Sequence, residues 1–322
     1  MISNPEDSNH SGFQSSGDAG EVSSSTFGKI SPRHIVRLGK ILGHTAYVLD
    51  RPHRRIVRRN LKFTHPDWSR KKIDNISRRV FQNLGISFLE IFQMLTLSKE
   101  QVLRRLRVEG LENLQNANNR NRGLIIVSAH LGSWETGLLF FSCYIQRPIL
   151  GVAKKIRFAP LNRWIQRLRS RFGIKIIYKK GALTQMRRML DRGGIIGLLV
   201  DQSRRSEGVD VTFFGRRVTA TPAAAFLAIR CQCPVLPIFC VRDGSGRLTL
   251  VVKPPIEIKR RGDLRSDIQF NTQLISDAVE NAVRQYPDQW FWVHKRWKKY
   301  YPELYPEYVA RRKRRHRKKG RA

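Results

Sequence analysis

Between residues 123 and 286, short apolar runs alternate with amphipathic stretches, and this alternation constrains the fold more than any other feature. Strand-length runs fall at 123–128, 149–153, 174–178, 195–200, 235–242 and 248–252. Helical patterns fall at 134–145, 160–172, 182–191, 222–231 and 267–286. Such alternation predicts an α/β fold: a mixed, mostly parallel central sheet with helices on both faces. Residues 107–109 add an edge strand. Upstream, Ile35, Leu38, Ile41, Leu42, Ala46 and Leu49 suit one helix face. Residues 54–62 give a second, basic helix. A third starts at Asp67-Trp68-Ser69 and runs to about Leu95, and a fourth spans 99–106. The reading is a single domain over 31–305, with a basic helical part (31–106) before the α/β part (107–305). The Ser/Gly/acidic stretch 1–30 and the basic stretch 306–322 read as disordered tails.

The chain of 322 residues carries a formal charge of +36. The C-terminal run from Arg311 to Arg321 holds nine Lys/Arg, so the body keeps about three quarters of the excess. A charge of this size implies an anionic partner: nucleic acid, an anionic membrane or an acidic protein. No apolar run approaches the roughly 18 residues of a membrane span. The N-terminus has neither the basic nor the apolar region of a signal peptide. The basic amphipathic helices suit the membrane interface instead. Cys143, Cys231, Cys233 and Cys240 all lie in apolar segments, which fits a reducing compartment. Cys231-Gln232-Cys233 lacks the second ligand pair of a zinc site.

The chemistry-bearing stretch is Ser128-Ala129-His130-Leu131-Gly132-Ser133-Trp134-Glu135. His130 ends a strand, and Glu135 follows five residues later at the start of a helix. The carboxyl edge of an α/β sheet is where such folds place chemistry. A carboxylate bonded to one imidazole nitrogen fixes the tautomer and makes the other nitrogen a better base. The pair therefore suits proton abstraction from a hydroxyl; the plain alternative is an ordinary polar contact.

Lys154 and Lys155 follow the 149–153 strand on the same edge, as oxyanion or phosphate contacts or as solvated lysines. Asp201 and Gln202 end the 195–200 strand on that edge too. Val211 to Arg217 reads as an aromatic-lined loop, able to hold an acyl chain and an anion, before a helix capped by Thr221 with Pro222 at its first position. Trp290-Phe291-Trp292-Val293-His294-Lys295-Arg296-Trp297 reads in three ways: a membrane-interface belt, a single-strand nucleic-acid platform or a core-edge strand. No G-x-S-x-G elbow, Walker loop, G-x-G-x-x-G or H-E-x-x-H is present.

Together these segments resemble the bacterial lipid A biosynthesis (late lauroyl/myristoyl) acyltransferases, within the lysophospholipid acyltransferase superfamily. His130 and Glu135 match the H-x4-D/E motif. Arg59-Asn60-Leu61, Asp201-Gln202, Phe213-Phe214-Gly215, Thr221-Pro222-Ala223 and Pro287-Asp288-Gln289-Trp290-Phe291-Trp292 match further elements. The resemblance implies that His130, oriented by Glu135, deprotonates an acceptor hydroxyl that attacks an acyl thioester on acyl carrier protein or coenzyme A. It implies no metal or redox cofactor. It makes Lys154, Arg169, Asp201 and Gln202 substrate-binding candidates and implies peripheral attachment at the cytoplasmic face of a bacterial inner membrane. Lys154 stands where the family usually has Arg, and many members begin with a membrane-spanning helix that this sequence lacks. The acceptor stays open between a lipid A precursor, another glycolipid and a lysophospholipid. A non-catalytic basic lipid- or nucleic-acid-binding protein is the rival class.

Overall fold

The computed structural model describes residues 30–94, 96–118, 122–145, 147–153, 159–178, 181–203 and 208–310. Three helices come first: α1 (Pro32–Leu49), α2 (Arg51–Thr64) and α3 (Arg70–Met94). Asp50 separates the first two, its carboxylate accepting the His53 N–H at 3.1 Å as the N-cap of α2. Then follow α4 (Lys99–Leu103), β1 (Leu106–Glu109), α5 (Leu111–Asn118), β2 (Leu124–Ser128), α6 (Trp134–Ile145), β3 (Ile149–Val152) and α7 (Ala159–Arg171). Next are β4 (Ile174–Ile177), α8 (Ala182–Asp191), β5 (Ile195–Leu199), β6 (Val209–Phe213), β7 (Arg216–Ala220) and α9 (Ala223–Cys231). Strands β8 (Val235–Arg242) and β9 (Leu248–Val252) precede the long α10 (Leu264–Gln285).

Seven strands form one sheet in the order β1-β9-β8-β2-β5-β3-β4. Every pairing is parallel except β8 with β9, and β1 lies at an edge as the sequence suggested. Alternate side chains of β2 serve opposite faces. Ile125 and Val127 pack with α8, α9 and α10, joined by α2 and part of α3. Leu124 and Ile126 pack with α6 and α7, joined by α4 and α5. Strands buried on both faces explain the continuous apolar runs of the sequence. The helices that follow β2 and β5 thus lie on opposite faces, although these strands are neighbours. Their carboxyl ends flank a topological switch point, the crevice where open α/β sheets place ligands.

Three local expectations are corrected. Residues 209–220 form the β6–β7 hairpin, not an open aromatic loop. Its tip residues Phe214 and Gly215 both have positive φ, at 53° and 67°, as a two-residue type I′ turn requires. The left-handed Phe214 is held by Glu280, whose carboxylate accepts its backbone N–H at 2.5 Å, and by packing against Trp292. Helix α9 takes Pro222, not Thr221, as its N-cap. Finally, Trp290, Trp292 and Trp297 are at most 1 % exposed; Trp290 bridges Leu131 in antiparallel fashion, and Trp292 and Trp297 lie in turns. They pack with Phe213 and Phe214 into an aromatic core, Trp290 and Trp292 meeting at a 4.6 Å centroid separation. Burying each ring contributes on the order of 4 kcal/mol. The tryptophans therefore form neither an interfacial belt nor a base-stacking platform.

Helices α1 and α3 meet backbone to backbone. A Cβ on Gly85 would lie 2.3 Å from the Gly39 carbonyl oxygen and 2.6 Å from the Gly43 nitrogen. Gly85→Val is expected to lower stability by about 3 kcal/mol, toward the upper end for overpacking because backbone has to shift. Thermal unfolding checks this; an unchanged midpoint would mean that the helices do not cross so closely.

Candidate active site

The parallel register pairs Ser128 of β2 with Leu199 of β5. His130 and Asp201 each stand two residues beyond that pair, so they leave the sheet side by side at the switch point. His130 Nδ1 lies 2.8 Å from Asp201 Oδ1. Asp201 Oδ2 accepts the His130 backbone N–H at 3.1 Å and the Trp290 Nε1–H at 2.9 Å. The Arg296 guanidinium donates to the Asp201 carbonyl oxygen. Phe291 donates its backbone N–H to the His130 carbonyl at 3.0 Å. The imidazole sits among Trp134 and Phe291, with ring centroids 5.3 Å and 5.9 Å away.

This corrects the expected pairing. The carboxylate that orients His130 belongs to Asp201, not Glu135. Glu135 is in the first turn of α6 and forms a two-point ion pair with Arg169 of α7, with Nε 3.2 Å from Oε2 and the second bond from Nη2 to Oε1. The physical reason is geometric. Asp201 comes from the neighbouring parallel strand, whereas Glu135 faces the helix that flanks the same sheet face. Glu135 still acts on His130 through its charge.

Burial favours the neutral imidazole, but the charge and hydrogen bond of Asp201 and the charge of Glu135 outweigh it. The His130 pKa is thus raised above its ordinary value. Burial opposes ionisation of Asp201, yet the charge and hydrogen bond of His130, the charge of Arg296 and the Trp290 N–H hold it well below the usual carboxylate range. Asp201 is therefore a carboxylate, and its bond fixes the proton on His130 Nδ1. Nε2 is left as the basic nitrogen. The Gln202 side-chain nitrogen lies 3.4 Å from it.

A cavity of about 100 Å³ lies between α6 and the sheet. Its apolar wall includes Ile126, Leu138, Phe141 and Leu250, with Gly197 leaving room. Glu135 and Arg169 form part of its lining, next to Trp134 and Ser128. Among the described residues, no group of three or more His, Cys, Asp or Glu side chains is placed to hold a metal ion. The structure thus brings together His130, Asp201 and Gln202, with Glu135 and Arg169 beside them. Lys154 lies outside the described residues. The contributions of Trp290 and Arg296 were missed in the sequence, although both lie in a stretch already marked by its aromatic and cationic residues.

Comparison with known proteins identifies the family. The family model described as bacterial lipid A biosynthesis acyltransferase matches residues 26–299. The chain is 27 % identical over 271 residues to the lipid A biosynthesis lauroyltransferase of Escherichia coli K12, covering 82 % of this chain and 85 % of that one. It is 25 % identical over 268 residues to the palmitoleoyltransferase of the same organism, with 81 % and 84 % covered. It is 22 % identical over 261 residues to a lipid A biosynthesis acyltransferase of Haemophilus influenzae, with 80 % and 78 % covered. With a family match spanning most of the sequence, this chain belongs to the bacterial lipid A biosynthesis acyltransferase family and is an acyltransferase.

Proposed function

We propose that the protein transfers a fatty acyl chain from a thioester, carried on acyl carrier protein or coenzyme A, to a hydroxyl of a lipid A precursor. The observation that carries this reading is the His130–Asp201 pair beside an apolar cavity, in a chain of this family. Asp201 holds His130 as the tautomer with an unprotonated Nε2. Nε2 takes the proton from the acceptor hydroxyl as its oxygen attacks the thioester carbonyl carbon. The tetrahedral intermediate then collapses, the C–S bond breaks, and His130 returns the proton to the thiolate. The oxygen ester and the free thiol are the products. General-base catalysis of this kind contributes roughly 10²–10⁴-fold. Arg169 and Glu135 border the cavity and orient substrate next to the base, with Gln202 and Lys154 as further contacts. No step requires a metal or redox cofactor.

The same reading includes peripheral attachment at the cytoplasmic face of the inner membrane. No helix among the described residues is long and apolar enough to cross a membrane. Helix α1 nevertheless exposes Leu38, Ile41, Leu42, Val48 and Leu49, with Ile41 64 % and Leu49 75 % exposed. Arg33, Arg37 and Lys40 are exposed on the same helix. An apolar stripe beside basic side chains is the signature of a helix lying in the interface. Each cation near an anionic leaflet adds about 1 kcal/mol. The Ile41→Asp/Leu49→Asp double variant is expected to bind vesicles of anionic phospholipid about 10²-fold more weakly, from the loss of two apolar anchors. Sedimentation with vesicles reads this out, and wild-type binding by the double variant would remove α1 from the interface.

The activity is tested by incubating the purified protein with acyl carrier protein or coenzyme A thioesters and a lipid A precursor. Transfer appears as a precursor mass increased by one acyl group. Acylation of lysophospholipid but not of the glycolipid would overturn the acceptor assignment.

A further inference from the structure

Beneath the His130 turn lies a charged pair that the proposed chemistry does not use. Glu90 of α3 and Arg242 at the end of β8 are both buried. Arg242 grips the carboxylate twice, with Nε 3.1 Å from Oε1 and Nη2 2.5 Å from Oε2. Its Nη1 donates to Asn83 Oδ1 at 3.1 Å. Burying two charges is costly, and well-packed apolar side chains in their place are often neutral or stabilising. Fold stability alone therefore does not account for such a pair.

The hydrogen bonds around it converge on two residues, Gly132 and Ser133. Ser133 Oγ donates to Glu90 Oε2 at 2.6 Å. Ser87 Oγ, which accepts from Arg242 at 3.5 Å, donates to the Gly132 carbonyl at 3.0 Å. The Gln289 side chain clasps the backbone N–H and carbonyl of Arg242 at 2.9 and 2.7 Å, while the Gln289 backbone carbonyl accepts the Gly132 N–H at 3.0 Å. The Ser133 N–H goes to the Cys240 carbonyl at 2.9 Å. Gly132 has φ +60°, and a Cβ there would lie 2.1 Å from that same carbonyl oxygen. With Leu131, these two residues join His130 to the start of α6, so their placement sets where His130 stands beyond β2 and where Glu135 lies in the first turn of the helix.

We propose that Glu90, with Arg242, is a positioning residue: the buried pair pins Gly132 and Ser133 and thereby fixes His130 against Asp201. The proposal rests on the general-base reading above only for its kinetic readout. The test is the double variant Glu90→Met/Arg242→Met, which removes both charges without stranding either. It is expected to fold with a thermal midpoint close to wild type. Its kcat falls by about 10²-fold, the size of effect that a displacement near 1 Å produces, while KM for the acyl thioester stays within a few-fold. The His130 imidazole, followed by nitrogen-detected or nitrogen-edited NMR, titrates at lower pH than in the wild type as the ring loosens from Asp201. If the double variant does not fold, Ser87→Ala/Ser133→Ala carries the test, because it leaves the pair intact and cuts the two links that its charged side chains make to the turn. The same kcat loss and titration shift are then expected. A folded variant with wild-type kcat and wild-type His130 titration would overturn the proposal. A shifted titration in a protein whose wild type transfers no acyl group would uphold the positioning role and overturn the acyltransfer reading instead.

Discussion

Asp201→Asn is expected to lower kcat by about 10²–10⁴-fold while leaving KM for the acyl thioester within a few-fold. The carboxylate accepts from three donors: the His130 ring, the His130 backbone N–H and the Trp290 indole. Asparagine has one acceptor oxygen. Two donors already claim Oδ2, so its amide nitrogen falls to the His130 side. That nitrogen donates, so the ring must present Nδ1 as an acceptor and carry its proton on Nε2. The base is lost without removing the imidazole. The pH profile provides a second check. As the proposed base His130 acts only when neutral, so kcat/KM of the wild type is expected to rise with pH through a pKa above the ordinary histidine value of 6.5. In Asp201→Asn the charge that raises this pKa is gone, and the limb of the residual activity moves to lower pH. Glu135→Gln breaks the pair with Arg169 but leaves the Nδ1 bond in place. Its expected loss is about tenfold, well below the Asp201 effect. Equal losses at the two positions, with no change in the pH limb for Asp201→Asn, would contradict the assignment of Asp201 as the orienting carboxylate.

Removing the base itself gives the other large effect. His130→Ala is expected to reduce kcat by about 10²–10⁴-fold, the range for a positioned general base. It also leaves the buried Asp201 carboxylate without the hydrogen bond of the His130 ring, and stability falls with it. His130→Gln separates the two effects. Its amide N–H can still serve Asp201, but it has no nitrogen able to take a proton near neutral pH. A similar loss of turnover in folded His130→Gln, measured with saturating thioester, ties the effect to proton transfer. Retention of activity within tenfold by a folded His130→Gln would exclude His130 as the base.

Much of this architecture is legible from periodicity. Strands buried on both faces are written as unbroken apolar runs, and β8 and β9 fall where those runs predict. His130 and Asp201 are also visible as polar residues just beyond such runs. What the sequence does not state is strand order. Only the adjacency of β2 and β5 makes Asp201, 71 residues away, a nearer partner for His130 than Glu135. The H-x4-E spacing draws attention to the local acid, while the sheet supplies the distant one. The aromatic stretch near residue 290 misleads for a related reason. Alternating rings and cations look interfacial when read alone, but the β6–β7 hairpin and α2 cover them, and Trp290 then serves Asp201 from the core. The Phe214-Gly215 turn is hidden because phenylalanine seldom takes positive φ, and it is held there by the distant Glu280 and Trp292. Nor does any local signal connect Glu90 with Arg242, whose partnership depends on how α3 lies across the end of β8.

The central claim is that this protein acylates a glycolipid hydroxyl through His130. It is tested most directly by mass spectrometry of total lipids from cells lacking the protein, complemented with the wild type, with His130→Gln or with nothing. The account predicts that one acylated lipid A species disappears, that its under-acylated precursor accumulates, and that only the wild type restores the profile. Equal restoration by His130→Gln, expressed and folded at wild-type level, would contradict it.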